Sequence, residues 1–302
     1  MKTPIFTGAC VAIVTPFTEN GINFDKLGEL IERQIAGGTD AICICGTTGE
    51  ASTQTIEEHK SAIEYGVKKV DHRVKVIAGT GSNCTRTALD LSLYAESCGV
   101  DGLLIVTPYY NKATQTGLIK HYTYIADRVH TPIIMYNVPS RTGTKFTAET
   151  YYELSKHPMI NGIKEASGDF GLAMHTLQLC GDNINIWSGN DDQVVPLMSL
   201  GGKGVISVVS NIKPELMVEM THLCLDGKFA EAAQLQVGTI GLVDALFMEV
   251  NPIPAKVALN MMGLDIGGLR MPLCDMSDAH KEVLCKALLN AGLEVKNPAA
   301  KA

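Results

Sequence analysis

The sequence predicts a parallel (β/α)8 barrel over residues 1–227, followed by a helical region over residues 228–302. Short apolar β-type runs alternate with helix-type segments about eight times in roughly 225 residues, close to the ~250 of a closed barrel. Several of these runs are almost continuously apolar, as expected for parallel strands covered on both faces. After Pro214 the pattern becomes helix only. An open doubly wound sheet is the competing architecture; it is disfavoured because the first βα turn lacks a G-x-G-x-x-G phosphate loop.

The strand candidates, in order, are Ala9–Thr15, Ala41–Cys45, Val74–Ala78, Gly102–Val106, Pro132–Tyr136, Asn161–Glu165, Ile184–Trp187 and Gly204–Val209. Between them, Asn23 or Asp25 suits the cap of a helix carrying Leu27, Leu30, Ile31 and Ile35. Thr55-Ile56-Glu57-Glu58 has the capping-box pattern that starts a second helix. Ala88, Leu91, Ala95 and Cys98 recur at spacings of three and four and line one helix face. The closing segments Glu215–Leu225, Phe229–Phe247, Pro254–Met262 and Ser277–Leu293 read as helices, and the region from 228 is expected to be an appendage without a catalytic role of its own.

Composition narrows the function. Of 302 residues, 46% are hydrophobic and 19% charged, with 29 Gly and 12 Pro, which is ordinary globular usage. No apolar run approaches the ~20 residues needed to cross a bilayer. The first six residues lack the apolar core of a secretory signal, so a cytoplasmic location is expected. A net charge of −7 without a basic cluster argues against nucleic acid as a partner. The nine cysteines include no CxxC, and the eight histidines form no HExxH. Core thiols and surface imidazoles are therefore expected, with neither a disulfide framework nor a metal site.

In such a barrel, chemistry sits where strands end and βα loops begin. Those ends hold Gly46-Thr47-Thr48-Gly49-Glu50, Thr107-Pro108-Tyr109-Tyr110-Asn111, Tyr136-Asn137-Val138-Pro139-Ser140-Arg141-Thr142-Gly143, Gly162-Ile163-Lys164-Glu165-Ala166 and Ser188-Gly189-Asn190-Asp191-Asp192. The opposite ends, such as residues 71–73 and 128–130, read as solvated turns. A lysine inside an apolar strand is costly unless its ammonium is paired or neutral, and desolvation favours the free amine that attacks a ketone. The plain alternative for Lys164 is a packed stem whose head reaches water or pairs with Glu165. The neighbouring loops favour chemistry. Amides at Thr47 and Thr48 suit a small carboxylate, although a turn whose hydroxyls cap the next helix would look the same. Tyr136, one strand away from Lys164, suits proton transfer, or a satisfied core hydroxyl. Arg141 suits a bidentate grip on a second carboxylate, or a surface ion pair of little worth.

Taken together, GTTGE, TPYYN, YNVPSRTG and GIKEASG, in that order and spanning essentially the whole chain, resemble the superfamily of dihydrodipicolinate synthase and N-acetylneuraminate lyase, the pyruvate-dependent class I aldolases. Within it the similarity is greatest to the dihydrodipicolinate synthase family. The resemblance implies condensation of pyruvate with L-aspartate-4-semialdehyde, in the diaminopimelate route to lysine, with no cofactor. It implies an imine on Lys164, a proton relay of Tyr136, Thr47 and Tyr110, and a pyruvate carboxylate held in part by the backbone of Thr48. It also implies that Arg141 holds the aldehyde's carboxylate and that the backbone at Gly189 and Ile206 lies close to substrate. Tyr110 would be lent by a neighbouring subunit, so at least a homodimer is expected, or a tetramer built as a dimer of dimers.

Substrate choice rests mostly on Arg141. N-acetylneuraminate lyases and sugar-acid or hydroxy-oxoglutarate aldolases stay open as alternatives, as does a pyruvate-binding barrel without turnover. Feedback by L-lysine in this family uses a neighbourhood that here contains Ser52, His59, Asn83 and Tyr109. Thr87 and Ile56 stand where lysine-sensitive members carry a glutamate and a histidine, so weak or absent inhibition by L-lysine is expected.

Overall fold

A computed structural model describes residues 2–302; Met1, with which the expected barrel begins, lies outside the described residues. Eight parallel strands close into a barrel: β1 (Gly8–Ala12), β2 (Ala41–Ile44), β3 (Lys75–Gly79), β4 (Gly102–Val106), β5 (Ile133–Asn137), β6 (Ile160–Glu165), β7 (Asn185–Ser188) and β8 (Gly204–Ser207). Each strand pairs with the next, and β1 pairs with both β2 and β8 to close the ring. Eight helices follow the strands in turn: α1 (Phe24–Ala36), α2 (Ile56–Val70), α3 (Thr85–Cys98), α4 (Gln115–Ala126), α5 (Ala148–Ser155), α6 (Phe170–Cys180), α7 (Val194–Ser199) and α8 (Pro214–Leu225).

The strand period of two separates two apolar layers. Cys10, Ala12, Ala41, Cys43, Ile134, Tyr136, Trp187 and Ile206 point into the barrel and fill it. Ala9, Val11, Ile42, Ile44 and Ile163 point outward and pack beneath the helices. The same alternation directs Lys164 inward and Glu165 outward. Gly162, below Lys164, makes room for the barrel filling, since a Cβ there would come within 2.6 Å of the Asn185 carbonyl and would also meet the Trp187 ring.

Two strands are shorter than the sequence predicts, because side chains take over the backbone hydrogen bonds. β1 stops at Ala12, and the Val14 amide then donates to Asn211 Oδ1. β8 stops at Ser207, and the Val208 and Val209 amides donate to Asp191 Oδ2. A hairpin of Phe17–Thr18 with Gly21–Ile22 was not anticipated; two-residue strands carry no readable alternation. The helix starts agree with the capping signals: Asn23 caps α1, and Thr55 with Glu58 forms the capping box of α2.

Beyond α8 come α9 (Phe229–Phe247), α10 (Ile253–Met261) and α11 (Asp278–Asn290). α9 packs on α8, and α10 is buried along its whole length. No helix among the described residues is long and apolar enough to cross a membrane.

Candidate active site

Lys164 lies near the end of β6, in register with Tyr136 on β5 and Trp187 on β7. Only 5% of its surface is exposed. Its Nζ stands 4.4 Å from the centre of the Tyr136 ring, a cation–π distance. The ion pair with Glu165 that sequence allowed does not form. Glu165 faces the helix layer, where its carboxylate accepts from Asn137 Nδ2, the Tyr151 hydroxyl and the Ser167 amide. Burial raises the Glu165 pKa against those bonds. Gly189 closes one side of the lysine: a Cβ there would come within 3.1 Å of Lys164 Cε and closer still to Ala166 Cβ. Its amide donates to the Glu165 carbonyl at 2.8 Å, tying the ends of β6 and β7 together. Ile206 is fully buried in the barrel interior.

The loop after β2 supplies Thr47 and Thr48 in a tight turn, in which the Gly49 amide donates to the Gly46 carbonyl and the Glu50 amide to that of Thr47. Neither threonine caps α2, which Thr55 caps. Thr48 is buried, and its Oγ1 accepts from Asn251 Nδ2 at 3.0 Å. Arg141 sits in a short helical turn at Pro139–Thr142 and is exposed at the mouth. Its Nη2 donates to the Asn251 carbonyl at 3.0 Å rather than joining a surface ion pair. Thr47, Tyr136 and Arg141 line one cavity of about 340 Å³. Tyr110 stands apart from it: the side chain is 89% exposed, on a backbone held at φ +71°.

The match of the dihydrodipicolinate synthetase family model covers residues 5–291. This chain belongs to that family. It is 55% identical over 291 residues to 4-hydroxy-tetrahydrodipicolinate synthase of Thermoanaerobacter sp. (strain X514), covering 96% of this chain and 98% of that one. The crystal structure of dihydrodipicolinate synthase from Aquifex aeolicus superposes with a TM-score of 0.95 at 41% identity, over 97% of this chain and 100% of that one. A monomeric dihydrodipicolinate synthase variant superposes with a TM-score of 0.93 at 39% identity, over 96% and 98%.

In this member of the dihydrodipicolinate synthetase family the cavity extends past Thr47 to Ser52, Ile56, His59, Thr87 and Tyr109, and no carboxylate lines it. His59 Nε2 contacts the Gly79 carbonyl at 2.7 Å, and burial lowers its pKa against that contact. Asn83 is not part of the lining; its carbonyl accepts from Asn111 Nδ2 in the loop that carries Tyr110.

Sequence reasoning missed four residues that support the site. Asn251 holds both Thr48 and Arg141. Lys256, on α10, pairs with Glu50 at 2.7 Å with both side chains fully buried. The Arg270 amide donates to the other Glu50 oxygen, and its guanidinium pairs with Glu58. Asp191 anchors the end of β8 while burial raises its pKa, and its Oδ1 is buried without a partner. Lys256 had a visible signal, a lysine in the otherwise apolar run from Ile253 to Leu259. Asn251 had none.

Proposed function

We infer that this chain condenses pyruvate with L-aspartate-4-semialdehyde to give 4-hydroxy-tetrahydrodipicolinate, through an imine on Lys164. The observation that carries the reading is a buried strand-end lysine whose amine lies over a tyrosine ring and forms no ion pair with a carboxylate. Such an amine has no structural partner to give up when it reacts.

Chemically, Lys164 Nζ adds to the ketone carbon of pyruvate, and the carbinolamine loses water to give an iminium. Loss of a methyl proton makes an enamine, whose carbon forms the new bond to the aldehyde. The substrate's amino group then attacks the imine carbon, closes the ring and frees Lys164. Tyr136, Thr47 and Tyr110 move the protons of these steps. Thr48 holds the pyruvate carboxylate, with the backbone at Gly189 and Ile206 beside it, and Arg141 at the mouth holds that of the aldehyde. The roles of Thr47, Tyr136 and Arg141 are supported by their convergence on one cavity. The 55% identity to a protein named for this reaction supports the substrate pair.

The exposure of Tyr110 supports a homodimer in which that tyrosine completes the partner's relay, either alone or within a tetramer. Residues 1–227 form the catalytic barrel in this reading and residues 228–302 its helical complement. The enzyme acts in the cytoplasm. L-Lysine inhibits weakly, because Ser52, His59 and Tyr109 offer hydrogen bonds in the cavity, while Thr87 and Ile56 supply no carboxylate for its ammonium.

Borohydride trapping with pyruvate tests the reading. A mass gain of one reduced pyruvate adduct on the peptide carrying Lys164, together with turnover when aspartate semialdehyde is added, is the expected result. Absence of the adduct, or an adduct on another lysine, rejects it.

A further inference from the structure

Asn251 is 6% exposed and precedes α10, in the region sequence reasoning treated as an appendage. Its side-chain amide donates to Thr48 Oγ1 at 3.0 Å, while its main-chain carbonyl accepts from Arg141 Nη2 at 3.0 Å. One residue therefore touches both of the residues assigned to the two substrate carboxylates.

The direction of the Thr48 bond matters. A threonine hydroxyl has one proton and two lone pairs. When Asn251 Nδ2 donates to Oγ1, a lone pair is used and the proton stays available. Thr48 is itself only 2% exposed, so that proton has little access to bulk water. A buried O–H without an acceptor is costly, and an anion is the acceptor that rewards it most. The Asn251 backbone is itself held in place: Lys256, one turn further on, donates to Glu50 Oε1, and the Arg270 amide donates to Glu50 Oε2, in the same loop as Thr48.

We propose that Asn251 is a positioning residue for the 2-oxo acid carboxylate, acting by donating to Thr48 Oγ1 so that the threonine hydroxyl is left to donate to the substrate. The inference rests on the reading of Thr48 as a carboxylate-binding residue. It adds that the pyruvate site is completed from outside the barrel, by the segment that also carries the Arg141 contact.

The test is a double-mutant cycle of Thr48→Val and Asn251→Ala, with Asn251→Asp as a third variant, read as KM for pyruvate and kcat separately. Asn251→Ala is expected to raise the pyruvate KM about threefold, and Asn251→Asp about tenfold or more. An aspartate can only accept, so it captures the Thr48 proton and also repels the substrate's carboxylate. In the Thr48→Val background, Asn251→Ala is expected to change the pyruvate KM no further. Additive KM effects, or a near-normal KM in Asn251→Asp, overturn the proposal; so does a fall in kcat at unchanged KM. If Asn251→Ala does not fold, Asn251→Asp in the wild-type and Thr48→Val backgrounds completes the same cycle. Borohydride trapping on Lys164 separates the two levels. Trapping with additive KM effects rejects only the Asn251 inference, and failure to trap in the wild type rejects the reading of the site.

Discussion

The barrel mouth and the clamp behind it each bury a lysine, and the two differ in what faces the amine. Lys256 is wholly buried, yet its ammonium meets Glu50 at 2.7 Å and lies 4.6 Å from the centre of the Phe17 ring. Burial lowers its pKa while Glu50 opposes that shift, and the pair ties α10 to the loop after β2. Lys164 is nearly as buried but has the Tyr136 ring as its neighbour, and the adjacent carboxylate faces the other way. Desolvation alone therefore does not identify a reactive lysine. What sets Lys164 apart is that its amine forms no ion pair and lies over Tyr136, a residue that lines the cavity.

The sharpest way to break this contrast is to remove each amine in turn. Lys164→Ala is expected to lower kcat by at least about three orders of magnitude while the melting temperature is kept. A coupled turnover assay beside a thermal melt checks this, and a collapse of the melt would place Lys164 with Lys256 as a structural residue. Lys256→Met strands the Glu50 carboxylate in the interior and is expected to cost about 3–5 kcal/mol of stability. The double variant with Glu50→Gln should recover much of that loss in denaturant melts. Equal losses in the single and double variants would show that packing, not charge pairing, holds the clamp.

Tyr110→Phe sharpens the mouth side. With the side chain 89% exposed, its removal should leave monomer stability within about 0.5 kcal/mol of wild type, while kcat falls about 10²-fold. Mixing this variant with inactive Lys164→Ala checks the shared relay, because activity should depend on which tyrosine each lysine receives. The smallest effect is expected at the outer clamp. Arg270 holds the Glu58 pKa below its usual 4.5, and a depressed carboxylate contributes stability that is present above the unfolded value. That contribution, under about 1 kcal/mol for so accessible a pair, should fade as pH falls from about 4.5 through the lowered folded value. Glu58→Gln should flatten this part of the acid stability curve while leaving turnover at neutral pH unchanged.

Much of this contrast was legible along the chain. A lysine at the end of an apolar run is visible in GIKEASG, and the period of two within the strand already sends Lys164 and Glu165 to opposite faces. Strand ends were less legible. β1 and β8 stop early because Asn211, 197 residues from Val14, and Asp191, 17 residues from Val208, accept the next amide hydrogen bonds. Nothing in a local pattern encodes a partner that lies nearly two hundred residues away.

By itself the sequence determined the alternation of strands and helices, the capping box at Thr55, a cap at Asn23 or Asp25, and the set of polar residues on one rim, because these depend on periodicity and nearest neighbours. Only the tertiary structure decided that Glu50 meets Lys256 and that Asn251 meets Thr48 and Arg141, contacts spanning 206, 203 and 110 residues. Closing a barrel brings chain segments together whatever their separation, and which donor then faces which acceptor is set by packing rather than by local preference.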